Sequence, residues 1–195
     1  MKDGNVFKIL RVSLKDSVIK SNNRRAIVIH FILSALGLFS TGLILGLILE
    51  IVTVPDSSAI VPFTFLGIAF VGLFVYLICG YKFLKPSKEN TALSVFWLTG
   101  MTSILSMLTI VYVVLLRIEE SFGLHIFEAG TVETVMLPFG YFNTVGMGVL
   151  AALGFFDFGL STLVSILLLI IVALLPPGML SMGLKLKINK QNNPE

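Results

Sequence analysis

The chain has 195 residues, 56% of them hydrophobic and 13% charged, with a formal net charge of +3, a mean hydropathy of +0.98 and a pI near 9.1. An average soluble domain carries about twice that charged fraction, and a protein of this length has too much surface for its volume to hide so many apolar side chains from water. Composition therefore excludes an ordinary soluble domain, and so small a net charge in so apolar a chain argues against nucleic acid as a partner.

Residues 1–25 form a basic leader holding Lys2, Lys8, Arg11, Lys15, Lys20, Arg24 and Arg25. On a helical wheel Val6, Phe7, Leu10, Leu14 and Val18 gather on one side, and Lys8, Arg11 and Lys15 on another. That is the pattern of an interfacial helix drawn to anionic lipid. Ile9, Val12 and Ile19 interrupt it, so a loosely ordered leader that only sets orientation competes. The leader is too polar, and the run behind it too long, for a cleavable signal peptide. Ala26 onward is expected to remain as the first span.

Four uncharged runs follow, at about residues 26–49, 57–81, 91–116 and 158–184. Crossing the hydrocarbon layer takes about 20 apolar residues, and only helices or closed barrels satisfy their backbone groups there. The runs are continuous and rich in Leu and Ile, without the period-two alternation of barrel strands. The expected fold is an all-α integral membrane protein with four transmembrane helices in one polytopic domain, residues 26–184. Residues 185–195 form a tail.

Charge placement gives an orientation. The seven basic residues of the leader precede the first span; Lys82, Lys85 and Lys88 lie between the second and third; Lys185, Lys187 and Lys190 follow the last. Only Arg117 falls on the other side, together with Glu50, Asp56, Glu119, Glu120, Glu128, Glu133 and Asp157. Basic residues are retained on the inner face. This positive-inside pattern predicts a multi-pass protein of the cell membrane with both termini cytoplasmic.

Residues 134–156 are also uncharged and long enough to cross, but Pro138, Gly140, Asn143, Gly146, Gly148 and Gly154 break up the apolar pattern. A crossing here would put the lysine-bearing tail outside. An interfacial or re-entrant segment fits the charges best, with a fifth span as the alternative.

The third span carries the clearest polar pattern. Thr99, Thr102, Ser103, Ser106 and Thr109 lie within about 120° of one another at 100° per residue, with Trp97 opposite. Hydroxyls in lipid prefer a neighbouring helix or their own i−4 carbonyl, so the stripe reads either as helix packing or as a polar lining. Gly42 and Gly46 form a G-x-x-x-G on the first span, a device for close helix approach inside the bundle or between copies. Pro176 and Pro177 interrupt the last span, where two missing N–H groups predict a kink or break near residues 174–176.

Chemistry-bearing groups are sparse. His30 sits about one turn inside the first span and reads as a hydrogen-bonded histidine. Cys79 is the only cysteine and has no partner for a disulfide. Gly159-Leu160-Ser161-Thr162 resembles the G-x-S-x serine motif of rhomboid proteases. That resemblance implies an intramembrane serine enzyme with a histidine beside Ser161, and His30 belongs at the other end of its own span. No catalytic, cofactor or metal constellation emerges. The expected function is non-enzymatic: an accessory, regulatory or protective (immunity-like) protein acting through a membrane-protein partner or a homo-oligomer in the lipid bilayer. The alternative is a small oligomeric transporter or channel subunit using the hydroxyl face of the third span.

Overall fold

The computed structural model describes residues 15–51, 60–87, 91–122, 143 and 162–193. They form four long helices and one short turn: α1 Ser17–Ile51, α2 Ile60–Phe83, a 3₁₀ turn Thr91–Val95, α3 Phe96–Phe122 and α4 Thr162–Asn192. All four are long and apolar enough to cross a membrane. Their perimeter is that of a protein in oil: Phe39 is 70% exposed, Phe63 74% and Met107 67%. Surfaces of that kind cannot face water without aggregation. The chain is thus a multi-pass helical membrane protein.

The helix boundaries have local causes. Asp16 caps α1, its Oδ1 accepting from Val18 N at 2.8 Å and Ile19 N at 3.0 Å, which satisfies two of the N–H groups that any helix start leaves unpaired. Helix α1 therefore begins nine residues before the uncharged run at Ala26. The span is the inner part of a longer helix whose first turns carry Asn22, Asn23, Arg24 and Arg25. Helix α2 ends at Phe83, three residues before Pro86, whose ring disfavours helical geometry at Lys85. An interfacial helix before Asp16 would fall outside the described residues.

Pairings along the helices set their directions. Arg25 meets Phe83, and His30 meets Tyr76, so α1 and α2 are antiparallel. Thr91 meets Ser181, and Ser106 meets Leu169, so α3 and α4 are antiparallel as well. Gly80 lies against Leu180, and Lys82 near Lys187, so α2 and α4 run parallel. One end of the bundle therefore gathers the start of α1, the α2–α3 connection and the end of α4, with Arg25, Lys82, Lys85 and Lys187; it is called the basic end below. Phe122 and Thr162 both lie at the far end. The expected membrane-contacting segment 134–156, with its interfacial, re-entrant and fifth-span readings, lies outside the described residues apart from Asn143. Asn143 is buried against α4.

Helix α4 is the axis of the bundle: 39% of its apolar window is buried, against 11% for α1. The main core lies toward the basic end, where Ala26, Tyr76, Leu84, Leu98, Leu180 and Leu184 pack together with Cys79 half-buried at the edge. Gly80 and Gly183 make this packing tight. A Cβ on Gly80 would overlap the Leu180 carbonyl, and one on Gly183 would overlap the Leu77 carbonyl. The two helices cross backbone on backbone, the arrangement for which small residues are selected in membranes.

Candidate functional site

Four sets of polar groups stand out among the described residues.

The first is a clasp at the basic end. Asn22 and Asn23, both buried, are consecutive on α1 and reach into the α2–α3 connection. Asn22 Nδ2 donates to Lys85 O at 2.8 Å and to Ser94 Oγ at 3.1 Å, while its Oδ1 accepts from Lys85 N at 2.8 Å. Asn23 Nδ2 donates to Leu93 O at 2.7 Å and to Ile19 O at 3.1 Å, while its Oδ1 accepts from Trp97 N at 2.9 Å. Each amide thereby uses both donors and its acceptor. Trp97 N is among the first N–H groups of α3, which have no partner within their own helix. Arg25 Nη1 donates to Phe83 O at 2.7 Å, and Lys187 Nζ to Leu84 O at 2.9 Å. Cations at the end of α2 suit the negative pole of its dipole. The basic residues that suggest an orientation thus also cap a helix.

The second set lies about 7.5 Å further into the bundle, by helical rise from Arg25. His30 Nδ1 and the Tyr76 hydroxyl are 2.8 Å apart, with their rings tilted by 39°. Ser34, one turn along α1, bonds the same hydroxyl. His30 and Tyr76 are both fully buried. The sequence expectation of a hydrogen-bonded histidine agrees with this geometry. Tyr76, its partner 46 residues away, gives no local signal.

The third set is the hydroxyl stripe of α3. Thr102, Ser106 and Thr109 are buried, Thr99 is half-buried and Ser103 is exposed. Ser106 Oγ donates across to Leu169 O of α4 at 3.0 Å. Thr99 donates to Val95 O and Thr109 to Leu105 O, each at 3.0 Å, and Thr102 lies 3.1 Å from Leu98 O. Back-bonding of this kind satisfies a hydroxyl in a dry interior and frees little of it for a solute. Ser103 and Ser106 border a small notch of about 230 Å³ between α3 and α4, otherwise walled by Met107, Ile110, Ile170 and Leu174.

The fourth set surrounds the proline pair. Pro176 and Pro177 are buried inside α4, which runs on from Thr162 to Asn192, so the break expected near residues 174–176 does not occur. Lacking N–H groups, they leave Val172 O and Ala173 O without their usual i+4 donors. Asn143 Nδ2 donates to Val172 O at 3.1 Å and supplies the missing bond from outside the helix. Val172 lies about 15 Å along α4 from Thr162 by helical rise, so the side chain of Asn143 works deep in the bundle. Replacing Asn143 by Leu is expected to cost about 1–3 kcal/mol, the penalty for stranding a buried acceptor. Pairing Asn143→Leu with Pro176→Ala restores a helical donor and should recover most of the loss. Detergent unfolding of the four species of this cycle checks the coupling.

Among the described residues nothing packs closely against Gly42 or Gly46. A Cβ on either would meet nothing within 4 Å, and the same is true of Gly67 on α2. Beyond the His30–Tyr76 contact α1 and α2 enclose an open apolar groove of about 530 Å³, with Gly37, Ser40, Gly67 and Gly72 among its lining and Leu36 and Val71 at its walls.

No group of three or more His, Cys, Asp or Glu suited to a metal occurs among the described residues. Ser161 of the rhomboid-like motif lies outside them. Comparisons with protein-family models, curated proteins and solved structures found no match to this chain.

Proposed function

We propose that the chain is a non-enzymatic accessory, regulatory or protective protein of the cell membrane, oriented with its basic end in the cytoplasm, which acts by seating a transmembrane helix of a partner protein between α1 and α2. One observation carries this reading: the groove between those helices is closed at the basic end and open beyond it. Arg25 to Phe83 and His30 to Tyr76 tie α1 to α2 near the basic end. Further out, glycines and a serine take the place of side chains that would fill the gap. A surface of small residues lets another backbone approach closely, and Ser40 adds a hydroxyl to the groove. The lining is apolar apart from Ser40 and Thr64, so a lipid-immersed helix matches it better than a hydrated solute.

The hydroxyl stripe of α3 supports this reading over a transport pathway. Thr99, Thr102, Ser106 and Thr109 spend their protons on backbone carbonyls, and Ser106 joins α3 to α4. A solute path needs polar groups that exchange partners with the solute, and membrane pathways are usually marked by ionisable side chains.

The test is site-specific photocrosslinking in native membranes from Ser40. The expected product is an adduct between this chain and one defined membrane protein. Gly67→Trp, which has open space around it, should leave the fold intact and abolish that adduct together with the associated phenotype. A probe at Met107, on the exposed face of α3, should give no such adduct. An adduct of twice the chain mass would make the partner a second copy; labelling of lipid alone from Ser40 would overturn the reading.

A further inference from the structure

At the basic end, on the perimeter of the bundle, Arg24, Arg25, Val28, Ile29 and Phe83 line a notch of about 400 Å³. We propose that this notch is a binding site for one anionic phospholipid of the adjacent leaflet, with its phosphate between the two guanidinium groups and an acyl chain along Val28, Ile29 and Phe83.

The layout follows from helical spacing. Val28 is four residues beyond Arg24, and Ile29 is four beyond Arg25, so the apolar pair lies on the same face one turn deeper. Phe83 closes the notch from α2. Val28 is 52% exposed and Phe83 53%. Such exposure suits contact with a lipid tail and wastes apolar area against water. Arg24 is exposed, whereas Arg25 is held in place by its bond to Phe83 O. A guanidinium carries five N–H donors, and that bond uses one of them. The planar fork suits a phosphate, to which it donates in pairs. Among the described residues no carboxylate lines the notch to neutralise the two charges, and Lys82 adds a third basic residue next to Phe83. Basic pockets between membrane helices at the headgroup level commonly hold anionic lipid. The site is at the other end of α1 from the open groove and stands independently of the partner reading.

The shared chemistry is a phosphate, which a lipid or a free ion supplies; the apolar walls select the lipid. The test is native mass spectrometry of the full chain in detergent, with dioleoyl phosphatidylglycerol, dioleoyl phosphatidylcholine or inorganic phosphate added. Phosphatidylglycerol should be retained one per chain in preference to phosphatidylcholine. Arg24→Gln, which leaves the Arg25 bond intact, should weaken that retention about fivefold, the weight of one basic side chain near an anionic surface. Lys190→Gln removes an equal charge from the tail and should leave retention unchanged. Equal retention of the two lipids, equal losses in the two variants, or displacement of the lipid by inorganic phosphate at the same concentration would each overturn the proposal.

Discussion

Gly80→Ala and Gly183→Ala are each expected to destabilise the bundle by about 3 kcal/mol or more, at or beyond the top of the usual range for overpacking. The added methyl group would overlap a carbonyl oxygen of the facing helix in both cases. It would also sit 2.9 Å from Leu180 Cα at Gly80, and 2.8 Å from Tyr81 N at Gly183. The obstacle is backbone on both sides, so no side chain can swing away to relieve it. Helices α2 and α4 would have to separate at the crossing, and the core of Tyr76, Leu180 and Leu184 would open with them. A loss of that size is a large fraction of the 5–15 kcal/mol that typically holds a domain together. Thermal stability in detergent, read as the surviving monodisperse fraction on size exclusion, measures it. Gly42→Ala, Gly46→Ala and Gly67→Ala are the controls. Each has open space around it, and alanine favours a helix by up to about 1 kcal/mol over glycine, so these should be neutral or slightly stabilising. Equal losses at Gly80 and Gly67 would contradict the close crossing.

Asn22→Ala is the second large effect, expected at about 2–4 kcal/mol. The amide bonds both backbone groups of Lys85 as well as Ser94 Oγ. Removing it leaves the part-buried Lys85 N and O and the buried Ser94 hydroxyl without this partner, and a buried group left unsatisfied costs about 1–3 kcal/mol. Asn22→Asp keeps the shape and the acceptor but loses both donors and brings a charge into a buried site, so it should fare no better than alanine. Asn23→Ala should cost somewhat less, because one of its three bonds returns to Ile19 O of its own helix. Arg24→Ala serves as the exposed neighbour and should change stability by less than about 0.5 kcal/mol. Unfolding measured in mixed micelles across the four variants gives the ranking. If Asn22→Ala matches Arg24→Ala, the clasp does not hold the α2–α3 connection.

Four helices were legible in the sequence because lipid imposes one requirement, a long run without charge, and the runs at 26–49, 57–81, 91–116 and 158–184 meet it. Their ends were less legible. Asn22 and Asn23 read as part of a polar leader, yet α1 begins at Ser17 and carries them as clasp residues. Side-chain polarity says that a group needs a partner, not whether water or a loop supplies it. The small residues divide the same way. Gly42 and Gly46 form a recognisable local motif and face open space, whereas Gly80 and Gly183 are isolated in sequence and make the tightest contact. Their requirement comes from a helix about a hundred residues away. The loss of two donors at Pro176 and Pro177 was readable from covalent chemistry alone. That Asn143 replaces one of them was not, since nothing near it in sequence points to α4. The hydroxyl stripe was visible as a face, and only the facing Leu169 carbonyl gives Ser106 a structural task.

The first helix begins, and the last helix ends, at one basic end of the bundle, the end proposed to face the cytoplasm. The most direct measurement is the sidedness of single cysteines made by Lys20→Cys and by Asn192→Cys, each in a Cys79→Ser background, with a membrane-impermeant maleimide applied to intact cells and to inverted vesicles. Both positions are exposed at the basic end. Both should react in inverted vesicles and stay silent in intact cells. Labelling from opposite faces would contradict the antiparallel pairing of α1 with α2 and of α3 with α4, and labelling of both in intact cells would reverse the orientation proposed for the protein.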